Sequence, residues 1–168
     1  TITVVPDTEA PVLHNLPDMT VGVECSQQVP AVPVVTVTDN CTAPVDVEFT
    51  EVEIPGTCPN QYVIKRTWTA EDFCGNSTVF TQTITISDTK APTWTIPANL
   101  FFSVVNVDCA QDVPLIIPQP ATDNCGQPLD VELSETLTPG TCANRFILTR
   151  TWTAEDDCGN STVHTQTI

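Results

Sequence analysis

The sequence predicts an all-β chain of two tandem antiparallel β-sandwich domains. Three observations predict it. Thr, Val and Pro are abundant while Leu, Lys and Met are sparse, a mix that favours extended backbone over helix. No segment carries a helical apolar period, whereas Thr/Val/Ile alternation broken by Pro, Gly, Asn and Asp recurs throughout. Finally, RTWTAEDFCGNSTVFTQTI at residues 66–84 returns 84 positions later as RTWTAEDDCGNSTVHTQTI at residues 150–168, with Asp157 in place of Phe73 and His164 in place of Phe80.

Taken in order, the strands predicted for the first repeat are residues 18–24, 31–38, 45–54, 62–71 and 77–87. Those for the second are residues 100–107, 115–119, 129–137, 146–155 and 161–168. Several short strands at this spacing give each repeat an immunoglobulin-like layout. On the penultimate strand Tyr62, Ile64, Arg66, Trp68 and Ala70 share one face, as do Phe146, Leu148, Arg150, Trp152 and Ala154. That aromatic face is expected to be the core face, with each guanidinium stacked over the neighbouring indole. Pro30, Pro33, Pro114 and Pro118 lack the N–H of a ladder and belong at edges or bulges. PDTEAP at residues 6–11 resembles SDTKAP at 87–92, and TITVV at 1–5 matches TITIS at 83–87. The expected division is therefore residues 1–6 as the end strand of a preceding repeat or a strand donated to a neighbour, 7–87 as repeat 1, and 88–168 as repeat 2 with its last strand cut short.

The eight cysteines fall into two sets of four with steps of 16, 17 and 16 residues. Such a framework in repeats of this size points to disulfides and an oxidising, extracellular compartment. Zinc would want short Cys-x-x-Cys pairs, which the sequence lacks. Cys25 and Cys41 flank one extended segment, as do Cys58 and Cys74, so neither pair can come within the ~7 Å that a disulfide needs. If the two segments run in the same direction, like ends meet. The predicted pairs are then Cys25–Cys58, Cys41–Cys74, Cys109–Cys142 and Cys125–Cys158, each closing a loop of roughly 33 residues.

With a formal net charge of −16 and only five basic residues, the chain is a poor ligand for nucleic acid or an anionic membrane, and no apolar run is long enough for a membrane span. An enzyme is not expected. His14 and His164 have no counterpart in the other repeat and are expected at the surface or an edge, and no nucleophile elbow, zinc-protease motif or phosphate loop occurs. Carboxylates recur at fixed places: Asp39, Glu71 and Asp72 in the first repeat, Asp123, Glu155 and Asp156 in the second, with Asp7 and Asp88 in the linkers that enter them. If they converge at one pole of each domain, they suit calcium, a hard ion with six to eight oxygen ligands, which would stiffen the joint. The alternative is ordinary turn chemistry, since Asp-Asn and Gly-Asn favour turns. Asn76 and Asn160 lie in Asn-Ser-Thr sequons, for which the turn reading is again preferred.

The ordered set TDNC, PGTC, RTWTAED-x-CGNSTV and DTxAP covers nearly the whole chain twice and resembles the hyalin-repeat (HYR-like) family of immunoglobulin-like modules. It is similar above all to the Cys-rich tandem repeats of giant secreted bacterial surface proteins, including adhesins linked to gliding motility. The resemblance implies a non-catalytic, secreted or cell-surface spacer or adhesive module in a long fibre or stalk, with neighbouring copies of the repeat as partners and surface glycans or a substratum as candidate ligands. Hyalin repeats often carry a Cys late in the last strand, where TVFTQTI has none and Cys58 is the extra one. Two other readings remain: a filament of separate subunits joined by β-strand exchange, and a carbohydrate-binding module of a secreted enzyme.

Overall fold

In a computed structural model, residues 5–41, 44–95, 103–126, 129–142 and 144–168 are described. The chain divides into two compact units, Thr1–Asp88 and Thr89–Ile168. Each is all-β, as predicted, and the only helical segments among the described residues are single 3-10 turns at Ser26–Gln28 and Ala110–Asp112.

Unit 1 holds β1 (Val12–His14), β2 (Thr20–Val23), β3 (Thr36–Thr38), β4 (Val47–Pro55), β5 (Gln61–Glu71) and β6 (Ser77–Ser87). The larger sheet runs β2-β6-β5-β4, with β2 parallel to β6 and the other pairs antiparallel. β1 and β3 form a second, antiparallel pair. Unit 2 repeats the plan with β7 (Thr93–Trp94), β8 (Ala121–Thr122), β9 (Leu129–Pro139), β10 (Phe146–Asp156) and β11 (Ser161–Thr167). Its sheets are β11-β10-β9 and β7-β8, and a parallel bridge from Val104 to Thr167 stands where β2 stands in unit 1.

The long strands form where the alternation is longest. Along β5 the Ile64, Arg66, Trp68 and Ala70 side is buried, and the pattern repeats at Arg150, Trp152 and Ala154 on β10. The short strands differ from expectation. Residues 31–35 are irregular and only Thr36–Thr38 pair, because Pro30 and Pro33 cannot donate to a ladder. For the same reason residues 115–119, which include Pro118 and lie between Pro114 and Pro120, form no strand, and pairing resumes at Ala121. Of the predicted 100–107 strand, the part at 100–102 lies outside the described residues.

Unit 1 has two apolar clusters. Leu13, Trp68 and Ala70 gather Val35, Val37, Val45, Val47 and Phe80 between the two sheets. Toward the other pole, Ile64, Ile84 and Ile86 gather Val21, Val23, Val29 and Tyr62. Between the clusters lies a polar layer, Arg66 paired in register with Gln82, the two 4 % and 2 % exposed. Arg66 Nε donates to Glu51 Oε2 at 2.7 Å and Nη1 to the Pro30 carbonyl at 2.8 Å, while Gln82 Nε2 donates to the Asp18 carbonyl at 2.9 Å. In unit 2 Arg150 donates to Glu135 Oε1 and the Pro114 carbonyl, each at 2.8 Å. What holds each arginine is therefore a carboxylate and a proline carbonyl. The bond ties the irregular, proline-rich segment to the sheet.

Cys25 and Cys58 are disulfide-bonded in unit 1 and Cys125 and Cys158 in unit 2, as the predicted Cys25–Cys58 and Cys125–Cys158 pairings require. Ser26 N donates to Asn60 Oδ1 at 3.5 Å, which sets the residues beside Cys25 and Cys58 together. The other two predicted pairs are corrected. Cys41, Cys74, Cys109 and Cys142 are free, exposed thiols, so neither Cys41–Cys74 nor Cys109–Cys142 is bonded.

Candidate functional site

The acidic pole of unit 1 is built by the β5–β6 turn, the segment after β3 and the entry segment. Asp72 follows β5 directly and organises the turn. Its Oδ1 accepts from Cys74 N and Asn76 N, each at 2.8 Å, and its Oδ2 from Asn76 Nδ2 at 2.7 Å. Gly75, at φ 89°, completes the turn in a conformation that favours glycine. The Asn76 side-chain amide, followed by the two backbone donors, holds the Asp72 carboxyl below its ordinary value. Asn76 Nδ2 also donates to the Asp7 carbonyl at 3.2 Å, so one amide ties the entry segment to the turn. Asp156 repeats the arrangement with Cys158 N, Asn160 N and Asn160 Nδ2 at 2.8, 2.9 and 2.9 Å. Both sequon asparagines thus spend their amides on turn structure.

Asp7, Asp39 and Cys41 form a tighter group, with one ligand atom from each within 4.8 Å of the others. Asp7 Oδ1 accepts from Glu9 N and from Asn40 Nδ2, each at 3.1 Å. The Cys41 thiol donates to the Asp7 carboxylate. That bond, followed by those of Glu9 and Asn40, draws the Asp7 carboxyl below its ordinary value. The same bond, with burial and the nearby Asp7, Asp39 and Cys74 charges, pushes the thiol up to about 11. Cys41 is therefore a thiol at neutral pH, engaged by Asp7 although Cys74 lies near enough to act on it.

Asp39 uses one oxygen, Oδ1, to accept from Cys41 N at 3.0 Å, while its buried Oδ2 has no hydrogen-bond partner. Asp123 repeats this: Oδ2 accepts from Cys125 N at 2.7 Å and the buried Oδ1 has no partner. An orphaned carboxylate oxygen at the same place in both repeats fits a cation better than it fits turn chemistry. Of the first predicted ligand set, the structure brings Asp7 and Asp39 together, consumes Asp72 in its turn and leaves Glu71 exposed. In unit 2 Asp156 is consumed likewise, Glu155 is exposed, and Asp123 keeps the unpartnered oxygen. Asp88 is buried at the end of unit 1, where its N donates to the Asn60 carbonyl at 3.0 Å.

His164 is not the surface residue the sequence suggested. It is buried at 8 % exposure and stacks on Trp152 with ring centroids 5.6 Å apart, as Phe80 packs on Trp68 at 5.9 Å. Burial lowers its pKa. The signal was available, since the matching residue of the first repeat is a phenylalanine. The arginine clamp was also missed, although Pro30, Glu51 and Gln82 each recur 84 positions later as Pro114, Glu135 and Gln166.

The pattern of the HYR-like domain with 4 cysteines matches residues 14–86 and again residues 101–168. Among curated proteins none matches. Among solved structures, Drosophila N-cadherin EC1-4 shares 16 % identity over 98 % of this chain at a TM-score of 0.32, a likeness too low to inform either fold or function. The chain spans about half the length of that structure. The two family matches together take in most of the sequence, and the chain belongs to the HYR-like domains with four cysteines, of which it carries two.

Proposed function

We propose that this chain is a non-catalytic, adhesion-type tandem module of a long extracellular fibre or cell-surface stalk. The observation that carries the reading is what the repeated block spends its polar groups on. Asp72, Asn76, Arg66 and Gln82, and with them Asp156, Asn160 and Arg150, are committed to turns and to tying loops onto sheets. Trp68 and Trp152 are buried in the cores, which takes away the repeated aromatics that a carbohydrate-binding face would use. Among the described residues no helix is long and apolar enough to cross a membrane. Disulfides in both units support an oxidising compartment.

Calcium is the ion that the Asp7–Asp39 group suits, through the unpartnered Asp39 oxygen, the Asp7 carboxylate and water, at the weak affinity typical of extracellular modules. Cys41, held as a thiol, would stay out of the coordination of so hard an ion. Titration calorimetry checks this: Ca²⁺ uptake that is lost in Asp39→Asn supports it, and no heat with no effect of chelator on melting removes it.

An antibody to this chain tests the main reading. Intact source cells should bind it, and a denaturing gel in reductant should show one species far larger than 18.2 kDa. Intracellular staining, or a small band in reductant, would contradict a giant surface chain.

A further inference from the structure

Each large sheet ends on a long strand with a single neighbour. Among the described residues β4 pairs only with β5, and β9 only with β10. The outer edge of each strand therefore carries main-chain groups that no ladder uses. The inward side chains of these strands are incompletely covered, because the second sheet of each unit has only two short strands. Phe49 packs on Trp68 with ring centroids 5.2 Å apart and is still 40 % exposed. Val131 and Leu133, in register with the buried Ala154 and Trp152, are 42 % and 37 % exposed. Neither strand has a proline inside it, whereas Pro30, Pro33, Pro114 and Pro118 interrupt the extended segments elsewhere. What each carries instead is charge of one sign. Glu48, Glu51 and Glu53 lie on β4, Asp130, Glu132 and Glu135 on β9, and neither strand has a basic residue. Arg66 and Arg150 engage Glu51 and Glu135. Asp130 stands directly opposite Glu155 in the β9–β10 register, a like-charge pair that weakens the sheet by itself.

We infer that the outer edges of β4 and β9 are docking sites for an extended, basic segment of another protein, which adds to each sheet as one more strand. Charge chooses the occupant. The chain has 21 acidic and five basic residues, and pairing β4 or β9 with either strand of a second copy sets carboxylates against carboxylates. A strand with Lys or Arg at every second residue meets the opposite situation. Its basic side chains fall beside Glu48 on β4, or beside Asp130 and Glu132 on β9, and relieve the opposition of Asp130 and Glu155. Its alternate apolar side chains turn inward and cover the exposed parts of Phe49, or of Val131 and Leu133. Main-chain hydrogen bonds supply the affinity and the alternation supplies the selectivity, as in strand addition generally. This names a partner for the adhesion-type module and rests on that reading. The antibody experiment judges the module separately, since it reads the location and size of the chain and no peptide binding.

The test titrates the 168-residue chain into a labelled synthetic peptide, TVKVKVKVT, and follows fluorescence anisotropy. One control, TVEVEVEVT, keeps the alternation and reverses the charge. The other, TVKPKVKPT, keeps the lysines and removes main-chain donors. The first peptide should bind, and less tightly as salt rises. Both controls should bind about tenfold more weakly or worse. The Glu48→Lys/Asp130→Lys/Glu132→Lys chain, altered at exposed carboxylates outside the turns and the arginine clamps, should lose about tenfold in affinity for the first peptide without a lower melting transition. Hydrogen exchange in the complex should slow along residues 47–55 and 129–139. Equal binding of the two lysine peptides would show attraction to the acidic surface at large and overturn the strand site. So would protection confined to other segments, or no binding at all. Self-association that protects these two strands without peptide would give the edges to a second copy and overturn the choice of occupant.

Discussion

The two units share one four-cysteine frame and close it at opposite ends. Unit 1 is bonded at Cys25 and Cys58, unit 2 at Cys125 and Cys158, which are the counterparts of the free Cys41 and Cys74. The difference follows what covers each pole. Cys25 and Cys125 are 2 % and 1 % exposed, whereas all four free thiols are exposed. At the Cys25 pole of unit 1, Ser26 and Asp88 both bond to Asn60 and hold the ends of the strands together. Which pair closes goes with lower exposure: Cys58 and Cys158 are half-buried, and the four free thiols are exposed. Sequence spacing alone, identical in the two units, does not decide it.

The largest break in that comparison comes from removing the closed bonds. Each closes a loop of roughly 33 residues and stabilises its unit by about 3–4 kcal/mol in the chain-entropy account. Calorimetry of the Cys25→Ser/Cys58→Ser chain should lower the transition of unit 1 only, and the Cys125→Ser/Cys158→Ser chain that of unit 2 only. Loss of both transitions in either variant would mean that the units do not fold independently.

Next in size is the arginine clamp, where the units are alike. Arg66→Ala and Arg150→Ala should each cost about 2–3 kcal/mol, from the lost packing and hydrogen bonds of a buried arginine side chain. The Glu51 and Glu135 partners are too exposed to add much. Urea melts of the two variants should agree closely, and a large difference would show that one clamp is not load-sharing.

Histidine against phenylalanine gives a smaller effect with a pH signature. The folded-state pKa of His164 is lowered, so the unfolded chain takes up a proton that the folded chain resists. Stability of unit 2 is unaffected above about pH 6.5 and declines as pH falls below it. Unit 1, with Phe80, lacks this term. His164→Phe should raise the unit 2 transition by about 1 kcal/mol or less at pH 5 and flatten its pH profile. An unchanged profile would place the imidazole in water.

The smallest effect is chemical. Cys41, with its pKa pushed up to about 11, should alkylate slowly at pH 8, and Asp7→Asn should speed it severalfold by removing the acceptor of its thiol. Equal rates in the two chains would mean that the thiol is not bonded to Asp7.

The sequence was most legible where regular alternation met tight repetition. β5, β6, β10 and β11 appear within one or two residues of expectation because Thr/Val/Ile alternation runs for seven residues or more. β1 and β7, with three and two residues, carry too little period to be read, and they exist because Val12–His14 and Thr93–Trp94 find partners across the fold. Residues 31–35 look strand-like by composition, but their prolines withhold the donors. At the acidic pole the recurrence of carboxylates showed where to look. It could not show that Asn76 and Asn160 would consume Asp72 and Asp156, because an aspartate in a turn and an aspartate on an ion are the same letter. The unpartnered oxygens of Asp39 and Asp123 belong to the folded chain alone.

The central claim is mechanical: two β-sandwich units, each shortened by one internal staple, that unfold separately within the proposed fibre module. Pulling the 168-residue chain by its ends in a single-molecule force experiment tests it most directly. Two unfolding events are predicted in oxidising buffer. In reductant each event should lengthen by roughly 110 Å, the reach of the 33 residues freed from each loop. A single event, extension without resistance, or lengths that ignore the reductant would contradict the account.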